Sequence, residues 1–405
     1  MRARSILLCV ATFATLIATT ASGQTVQHAE KFPGADAGEK IRNCMAALPP
    51  QGGICDAREL SGQQTASAGF TVGQPAKPVE LMLGPVTLST KGTIYVQTKS
   101  SIVGVAAAMG IGFEQSPSVI KAADNTTLAA VVQVGGFLAV LQDLTVDGNK
   151  KGAPQGGVGV LVNKANRAEM FRVTAQNAPA YGIQFYSSDK NESCCAKLSK
   201  IMAIANGQAG MHLANTADVF ISLSEFENNG TFGIELNNSP AARIEHSDLG
   251  GNAQDGIIMY GTASSPLQSN KEIIVGNQFG NNARYDINIA GLDAKAKKHA
   301  STGSLISSNE FIGSATRPAG YAAIYIMDSG ENTIVGNTFS ASSAHPYRAC
   351  VSVSGDRELP DLVSGNYCAP SATGGKTGFT GTANTQFGDN RGKLMPAPLP
   401  TPGPK

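Results

Sequence analysis

The chain has 405 residues, of which 46 are glycine and none is tryptophan, and its formal net charge is +1. This near-neutral balance, without a basic cluster, excludes nucleic acid as an expected partner. The length allows one large core or two to three ordinary domains, and internal repetition favours a single elongated domain.

Residues 1–23 have the pattern of a secretory signal peptide. Arg2 and Arg4 give a positively charged start, residues 6–17 form a short apolar run, and residues 21–23 are small, as a cleavage site requires. The apolar run is shorter than the roughly 20 residues that span a bilayer. We therefore expect an exported chain, secreted or periplasmic, with no membrane span.

Residues 24–130 are predicted to form an N-terminal cap and the first coils of the fold. Residues 36–48 carry apolar side chains at helical spacing: Ile41, Cys44, Met45 and Leu48. We predict a short amphipathic helix here, because an uncovered first coil would expose an unpaired strand edge. Short strands are predicted at 80–83, 93–97 and 101–103, and residues 105–125 are predicted to form a loop.

A repeat of 23 residues lies within residues 210–260. Its units open at Gly210, Gly233 and Gly256, and each glycine follows an asparagine by four residues: Asn206, Asn229 and Asn252. The apolar runs have three to five residues with period two, which is too short for a helix. Stacking the units in register buries their apolar faces. Residues 131–378 are therefore predicted to form a parallel β-helix, with the asparagines stacked at one corner.

Strands are expected to begin once in every coil, at Val158, Ile183, Met211, Ile234, Ile257, Ile287, Ile324 and Val351. Insertions are predicted at 187–196, 263–270, 292–302 and 340–348, and in solenoids insertions gather on one face. A second apolar run per coil is predicted to point inward: Val219, Ile221, Leu223 and Phe226. Phe226, Phe279, Phe311 and Phe339 are expected to stack in the core. The Pro-rich end, 379–405, is predicted to be a disordered tail.

The opening of the predicted mature chain resembles a known family. The order FPGADAGEKI, CMAALPPQGGICDAREL, ELMLGPVTLS and SSIVGV is similar to the start of secreted right-handed parallel β-helix proteins of the pectate lyase-like superfamily. The resemblance implies an all-β, single-stranded right-handed β-helix that acts on acidic or neutral polysaccharides by lyase, hydrolase or epimerase chemistry. The NTD, DD, GHG and RIK motifs of polygalacturonases are absent, and the calcium-binding carboxylates of pectate lyases have no residue-by-residue match.

Six cysteines follow the predicted signal peptide, and an even number in an exported chain favours disulfides. Cys44 with Cys55, and Cys350 with Cys368, are predicted local pairs near the two ends of the solenoid. Cys194 and Cys195 are adjacent, and the sequence leaves open whether they are free, bonded to each other or linked elsewhere. A zinc site is disfavoured, because neither CxxC nor a nearby histidine accompanies these cysteines.

The candidate functional residues lie on the outward side of the first strand of each coil: Gln184, His212, Glu235, Ile258, Asn288, Tyr325 and Ser352. His212 and Glu235 fall on neighbouring rungs, where they are predicted to lie within hydrogen-bond reach. A histidine and a carboxylate can act as acid and base. An ordinary cross-strand pair is the alternative. Substrate contacts are predicted for Gln184, Asn215, Asn238, Asn288 and Tyr325.

Two further groups of polar residues are weaker candidates. Arg243, Glu245, His246 and Asp248 form a second column, in which His246 aligns with the inward Leu223 and is predicted to be buried. Asp143, Asp147 and Asn149 could bind calcium, which prefers oxygen ligands, or could simply cap a turn. Calcium is therefore a candidate cofactor.

Two hypotheses of function follow. The first is a secreted carbohydrate-active enzyme, a polysaccharide lyase or glycoside hydrolase, with a polymeric glycan bound along the first-strand face and His212 and Glu235 as catalytic residues. The second is a non-catalytic β-helix that binds glycans or serves as a surface or adhesion module. Converging carboxylates and a base beneath inserted loops would favour the enzyme, and a flat Asn, Ser and Thr face would favour the module.

Overall fold

The computed structural model describes residues 24–106, 116–187, 193–261, 269–290, 292–293, 298–299, 301–313, 320–341, 345–355, 359–374 and 378–392. The predicted signal peptide, the last prolines and much of the predicted insertions lie outside these residues. The strands of the two large sheets stack in parallel from residue 26 to residue 387, so the chain forms a parallel β-helix, as predicted. No described helix is long and apolar enough to cross a membrane.

One sheet, called the front sheet, contains one strand from each coil and 12 strands in total. It includes every strand start that the sequence predicts. Its strands are Thr71–Val72, Ile94–Val96, Ala130–Phe137, Val158–Asn166, Ile183–Tyr186, Met211–Ala214, Ile234–Asn237, Ile257–Tyr260, Ile287–Ala290, Ile324–Met327, Val351–Ser354 and Phe379–Thr380. Alternate residues such as Met211 and Leu213 are fully buried in the core, which follows from the two-residue period of a strand.

A second sheet of 24 strands, called the bent sheet, closes the other sides of the coils. Most coils contribute two short strands to it. The strands are Val26–His28, Gly53–Ala57, Gly62–Ala66, Val79–Leu83, Val86–Thr90, Ser101–Val103, Val119–Ala122, Val140–Asp147, Glu169–Gln176, Lys197–Ser199, Met202–Ile204, Phe220–Ser222, Glu225–Glu227, Arg243–Glu245, Asp248–Gly250, Ile273–Val275, Gln278–Gly280, Leu305–Ser307, Glu310–Gly313, Thr333–Val335, Thr338–Phe339, Leu362–Ser364, Tyr367–Cys368 and Gln386–Phe387.

Two small sheets complete the described strands. Ser269–Asn270 pairs in parallel with Ser301–Thr302, and Leu292–Asp293 pairs antiparallel with Lys298–His299.

Two predictions about local structure are wrong. The predicted loop 105–125 contains the strand Val119–Ala122, whose Ile120 fills the core between apolar neighbours.

The predicted disordered tail also contains strands. Phe379–Thr380 and Gln386–Phe387 add a last rung to the front and bent sheets, because the prolines that would prevent pairing begin only at Pro396.

The N-terminal helix spans Ala37–Ala47, as the spacing predicts. The carboxylate of Asp36 accepts a hydrogen bond from the backbone N–H of Glu39 at 2.8 Å, which satisfies one of the free donors of the first turn. Ile41 and Cys44, on the inner face of this helix, are fully buried. The helix therefore covers the apolar end of the first coil.

The described cysteines form three disulfides: Cys44–Cys55, Cys194–Cys195 and Cys350–Cys368. The first and last close local loops, with Cα separations of 5.9 and 6.1 Å, which lie in the usual range for disulfides. Each stabilises the fold by about 2–4 kcal/mol, mainly by restricting the unfolded chain. Cys194 and Cys195 are bonded to each other, which is one of the three states that the sequence left open.

From residue 140 to residue 368, each coil turns within the bent sheet at one residue with left-handed backbone. The φ values at this position lie between 49° and 68°, for Asp143, Arg172, Lys200, Leu223, His246, Gly276, Ser308, Gly336 and Gly365. The turn breaks the two-residue alternation, so the predicted inward direction of Leu223 and the predicted burial of His246 are both wrong. Leu223 is 49% exposed and His246 is also exposed; Ile221 and Phe226 fill the core instead.

Asparagine ladders satisfy the buried backbone at two corners of the coil. At the first, the backbone N–H of Asn206 donates to Oδ1 of Asn229, and that of Asn229 donates to Oδ1 of Asn252, both at 3.1 Å. This confirms the predicted stack. A second ladder follows the left-handed turn, with N–O distances of 2.9–3.0 Å through Ser247, Asn277, Asn309, Asn337, Asn366 and Asn390.

The predicted phenylalanines lie in the core beside the second ladder. Phe279, Phe311 and Phe339 stack with ring centroids 4.9 and 4.6 Å apart. Phe226 is also fully buried, two rungs before Phe279, with Leu249 on the rung between them. The core is therefore repetitive, and it holds the front sheet as a rigid platform.

Candidate functional site

The outward column of the front sheet has the register that the sequence predicts. Successive strands align Gln184, His212, Glu235, Ile258, Asn288, Tyr325 and Ser352. These residues share one face of the sheet, with one residue per rung and neighbouring rungs about 4.8 Å apart. The column therefore presents a continuous line of side chains along the axis of the solenoid.

His212 is the most unusual member of this column. It is only 8% exposed although it lies on the outward side, because the Tyr181 ring covers it at a centroid distance of 4.5 Å. Its Nδ1 forms a hydrogen bond with Nε2 of Gln184 at 3.2 Å. Its Nε2 is buried and has no hydrogen-bond partner among the described residues. One nitrogen is thus positioned and the other is left for a further partner.

Glu235 lies on the next rung and is also 8% exposed. Its Oε1 accepts a hydrogen bond from the hydroxyl of Tyr260. His212 and Glu235 are paired on neighbouring rungs, as predicted. No described hydrogen bond joins them, because His212 bonds to Gln184 and Glu235 bonds to Tyr260. Side chains on a strand lean along it, so a shared register does not fix which neighbour each one meets.

The electrostatics of this cluster favour neutral groups around one carboxylate. Burial lowers the pKa of His212, and the nearby Glu235 charge raises it by a smaller amount. Burial, with a smaller contribution from Glu235, raises the pKa of Tyr181 to about 12. Burial and the hydrogen bond to Glu235 also raise the pKa of Tyr260. At neutral pH the histidine can therefore accept a proton, and both phenols carry one.

Further along the column, a second group surrounds Asn288. Asp255 is fully buried and binds the guanidinium of Arg284 through two hydrogen bonds, of 3.0 and 2.6 Å. The amide of Asn288 donates to the same carboxylate at 3.1 Å. Tyr325 stacks on Tyr285 with ring centroids 4.7 Å apart. The structure thus brings the two predicted contact residues Asn288 and Tyr325 into one polar and aromatic group.

Asn215 and Asn238 lie at corners that follow front-sheet strands. Both have left-handed backbones, with φ of 55° and 51°, a conformation that asparagine tolerates well. The side chain of Asn215 donates to the carbonyl of Ser187 at 3.3 Å. Asn215 and Asn238 therefore lie at the corner, beside the front face. Their contact with a substrate stays a prediction.

The weaker candidates lie elsewhere. Arg243, Glu245 and Asp248 are on the bent sheet, where burial and neighbouring carboxylates raise the pKa of Glu225 to about 7. This acidic surface does not meet His212.

The predicted calcium ligands have other partners. Asp143 binds Arg172 through two hydrogen bonds. Asp147 accepts the backbone N–H of Asn149 at 2.7 Å, which is the capped turn that the sequence offered as the alternative. In the described ranges, no group of three or more His, Cys, Asp or Glu side chains is arranged to hold a metal ion. Calcium therefore stays a prediction without a defined site.

Sequence reasoning missed Tyr285, Arg284 and Asp255, and it considered Tyr181 and Tyr260 only as possible sugar contacts, without placing them beside His212 and Glu235. The side chains that cover or orient the central pair are Tyr181 and Tyr260, and Tyr285, Arg284 and Asp255 surround Asn288. Tyr181 and Tyr285 both lie two residues before a front-sheet strand. The repeat of a tyrosine at this position is the sequence feature that could have identified Tyr181 and Tyr285, because residues just outside a strand can fold back over its outward face.

Comparisons with known proteins support the architecture. A family model described as "Right handed beta helix region" matches residues 158–339. No protein with a curated description matches the chain in sequence.

Similar solved structures cover most of the chain at low identity. The Dettilon tailspike protein (gp208) is 13% identical with a TM-score of 0.62, over 90% of this chain and 68% of that one. The A-module of the mannuronan C-5 epimerase AlgE6 from Azotobacter vinelandii is 15% identical with a TM-score of 0.56, over 91% of both chains.

A third similar solved structure is that of a complex. A mutant of DFA-IIIase from Arthrobacter chlorophenolicus, in complex with DFA-III, is 11% identical with a TM-score of 0.50, over 92% of this chain and 99% of that one. Identities this low establish the shared fold alone.

Proposed function

We propose that this protein, a parallel β-helix with a right-handed β-helix match over residues 158–339, is an exported enzyme of the pectate lyase-like superfamily that acts on a polymeric glycan along its front sheet. Two of the similar structures belong to proteins named for action on carbohydrates, a mannuronan epimerase and a DFA-IIIase with DFA-III bound. Because fold alone does not fix function, the proposal rests on the His212 site.

The observation that carries the proposal is the unpartnered Nε2 of His212. A buried polar atom without a hydrogen bond typically costs about 1–3 kcal/mol of stability. Here the atom belongs to a neutral histidine that is fixed by Gln184, covered by Tyr181 and adjacent to Glu235. A substrate that reaches Nε2 once the Tyr181 ring moves aside would satisfy it, and titratable groups with shifted pKa values beside a charged partner are typical of catalytic sites.

The chemistry that fits best is proton transfer, as in a polyuronate lyase. Glycoside hydrolases usually need two carboxyl groups that flank the scissile bond. In the described part of the front face, Glu235 is available, whereas Asp255 is fully buried and bound by Arg284. A lyase needs one base and one acid, and His212 with the two phenols supplies both.

The proposed steps can be assigned to named atoms. Nε2 of His212 removes the proton next to the uronate carboxyl group, which requires Nδ1 to carry the ring hydrogen and the Gln184 amide to turn its oxygen, rather than its Nε2, toward Nδ1. The bond to the glycosidic oxygen then breaks, and a carbon–carbon double bond forms. The leaving oxygen takes a proton from the hydroxyl of Tyr181. Tyr181 suits this role better than Tyr260, whose ionisation would place a phenolate against the Glu235 carboxylate. Glu235 stabilises the imidazolium that forms on His212.

A screen for depolymerisation tests the proposal. The purified chain is incubated with polymannuronate, polygalacturonate and inulin, each with and without calcium, and both reducing ends and ultraviolet-absorbing unsaturated ends are measured. We expect reducing and unsaturated ends in equal amounts from one of the polyuronates. Reducing ends without unsaturation would replace the lyase by a hydrolase, and no new ends on any polymer would contradict the enzyme.

The non-catalytic glycan-binding module is the second candidate, and the aromatic side chains favour it. Seven of the 9 tyrosines of the chain lie at the front sheet: Tyr95, Tyr181, Tyr186, Tyr260, Tyr285, Tyr321 and Tyr325. Tyrosine rings can pack against the apolar faces of sugars, which suits a surface without tryptophan. Retention on a glycan without product formation would identify the chain as such a module.

A further inference from the structure

We propose that Tyr285, Tyr321 and Tyr325 form a second sugar-binding subsite, separate from the His212 site, that holds the same glycan chain further along the front sheet. The inference rests on the proposed glycan-binding function and adds to it the position of the chain and the number of sugar units that it engages.

The three rings form a preassembled aromatic surface. Tyr285 and Tyr325 are stacked with centroids 4.7 Å apart and an interplanar angle of 12°. Tyr321 meets Tyr285 edge-on, with centroids 5.1 Å apart and an angle of 90°. The hydroxyl of Tyr325 accepts a hydrogen bond from Ser354 at 3.0 Å. Rings held in this way lose little freedom when a ligand packs on them, which favours binding.

The rings are partly exposed, unlike the core phenylalanines. Tyr285, Tyr321 and Tyr325 are all half-buried, whereas Phe279 and Phe311 are fully buried. An aromatic group that packs only for stability would be expected in the core, and here each ring keeps a surface in contact with solvent. A sugar ring presents apolar C–H groups on its faces and hydroxyls around its rim, so it suits an aromatic surface with polar neighbours.

Polar groups border these rings. Arg284, one-third exposed, lies next to Tyr285 in the chain and is fixed by two hydrogen bonds to the buried Asp255. The amide of Asn288 is fixed by the same carboxylate. Both donors are thus oriented before a ligand arrives, so they can bind sugar hydroxyls with little reorganisation. Asp255 compensates the charge of Arg284, so the group requires no anionic ligand.

The subsite lies in line with the His212 site. Glu235, Ile258, Asn288 and Tyr325 are paired rung by rung. Three rungs separate Glu235 from Tyr325, which is roughly 14 Å at the usual spacing of parallel strands. Ile258 fills the interval with a half-buried apolar side chain. A glycan that runs along the solenoid axis would therefore contact both sites when it has several linked sugar units.

Affinity electrophoresis in gels that contain polymannuronate, polygalacturonate or inulin tests this inference directly. We expect at least one polymer to retard the wild-type chain. The double variant Tyr285→Ala/Tyr325→Ala should bind that polymer about tenfold more weakly. The double variant Tyr285→Phe/Tyr325→Phe, which keeps both rings, should retain most of the binding and shows whether the alanine effect comes from misfolding.

Tyr367→Ala is the matched control, because Tyr367 is 47% exposed on the bent sheet and its loss should leave retardation unchanged. Equal retardation of the wild type and the double alanine variant, or no retardation by any of the three polymers, would overturn the subsite.

The result is independent of the catalytic proposal. Weaker binding in the alanine variant of a chain that cleaves nothing would support the subsite and contradict the enzyme. Cleavage that the alanine variant performs with unchanged KM, on polymer and on short oligomers of the same sugar, would support the enzyme and contradict the subsite.

Discussion

Two columns of buried polar side chains run along this solenoid, and they differ in how their hydrogen bonds are satisfied. In the ladder at Asn277, Asn309 and Asn337, every rung repeats the same contacts, and each side chain binds the next rung at 2.9–3.0 Å. On the front sheet, the column through His212 and Glu235 changes residue at every rung, and it leaves Nε2 of His212 unpartnered among the described residues.

The difference separates structural from functional polarity. A repeated and satisfied ladder lowers the free energy of the fold, because buried backbone groups need partners. A column of varied, buried side chains whose hydrogen bonds are not all made lowers the stability of the fold, and such losses of stability are concentrated at functional sites. Substitutions in the ladder should therefore affect stability, and substitutions in the front-sheet column should affect activity.

The largest expected effect is on catalysis. His212→Ala should lower kcat/KM on the cleaved polymer by about 10²–10⁴-fold, because it removes the base. Glu235→Gln should lower it by about 10²–10³-fold, because it removes the charge that stabilises the imidazolium. The melting temperature should change little in either variant. Glu245→Gln, on the bent sheet, is the matched control and should leave the rate unchanged. If both front-sheet variants cleaved the polymer at the wild-type rate, the front-sheet column would have no catalytic role.

The next effect is on stability. Asn309→Ala removes the acceptor of the Asn277 backbone N–H and the donor to the Ile274 carbonyl, which leaves buried groups unpaired. We expect a loss of about 2–5 kcal/mol from these orphaned groups together, measured by chemical denaturation. Activity below the melting transition should be preserved. A variant as stable as the wild type would show that the ladder does not stabilise the fold.

Glu272 offers a test that depends on pH. It is fully buried, accepts a hydrogen bond from Ser304 at 2.7 Å and has an unpartnered Oε1 among the described residues. Burial raises its pKa to about 8. The folded state therefore keeps a proton that the unfolded state releases, so stability should fall as pH rises from about 5 to about 8, by at most about 1.4 kcal/mol per unit.

The Glu272→Gln variant should lose the part of this slope that Glu272 contributes, because a glutamine does not titrate, and should keep the part that Glu225 contributes through its raised pKa. Denaturation curves at pH 5, 7 and 8.5 for both proteins provide the measurement. Parallel pH dependences in the wild type and the variant would mean that Glu272 does not titrate between these values.

The smallest effect concerns the orientation of His212. Gln184→Glu would place a negative charge beside Nδ1 and raise the pKa of the imidazole. Because the base must be unprotonated, the acidic limb of the kcat/KM profile should move to higher pH, by up to about one unit. Gln184→Leu removes the hydrogen bond without adding a charge, and it should lower the rate without that upward shift. Identical acidic limbs in the wild type and Gln184→Glu would exclude His212 as the base.

The repetitive part of the fold could be predicted from the sequence for a physical reason. Stacked coils place equivalent residues above one another, so the spacing of Gly210, Gly233 and Gly256 fixes the register of the front sheet. The same spacing predicts that both His212 and Glu235 face outward. Corners were less predictable: Leu223 points to solvent because a single left-handed residue reverses the alternation, and no pattern in its own coil marks that position as glycine does at Gly276.

The contacts within the candidate site could not be predicted in the same way. Alternation identifies the face on which His212 and Glu235 lie, but rotamers decide which neighbours they meet, and Tyr260 and Gln184 proved to be the partners. The roles of Tyr181 and Asp255 depend on segments that fold back before a strand, where the two-residue period no longer applies.

A crystal structure of the Glu235→Gln variant with an oligomer of the cleaved polymer would test the central claim most directly. We predict the sugar chain on the front sheet, with one of its groups within hydrogen-bond distance of Nε2 of His212. A sugar chain bound to the bent sheet, with Nε2 of His212 contacted only by protein or water, would contradict it.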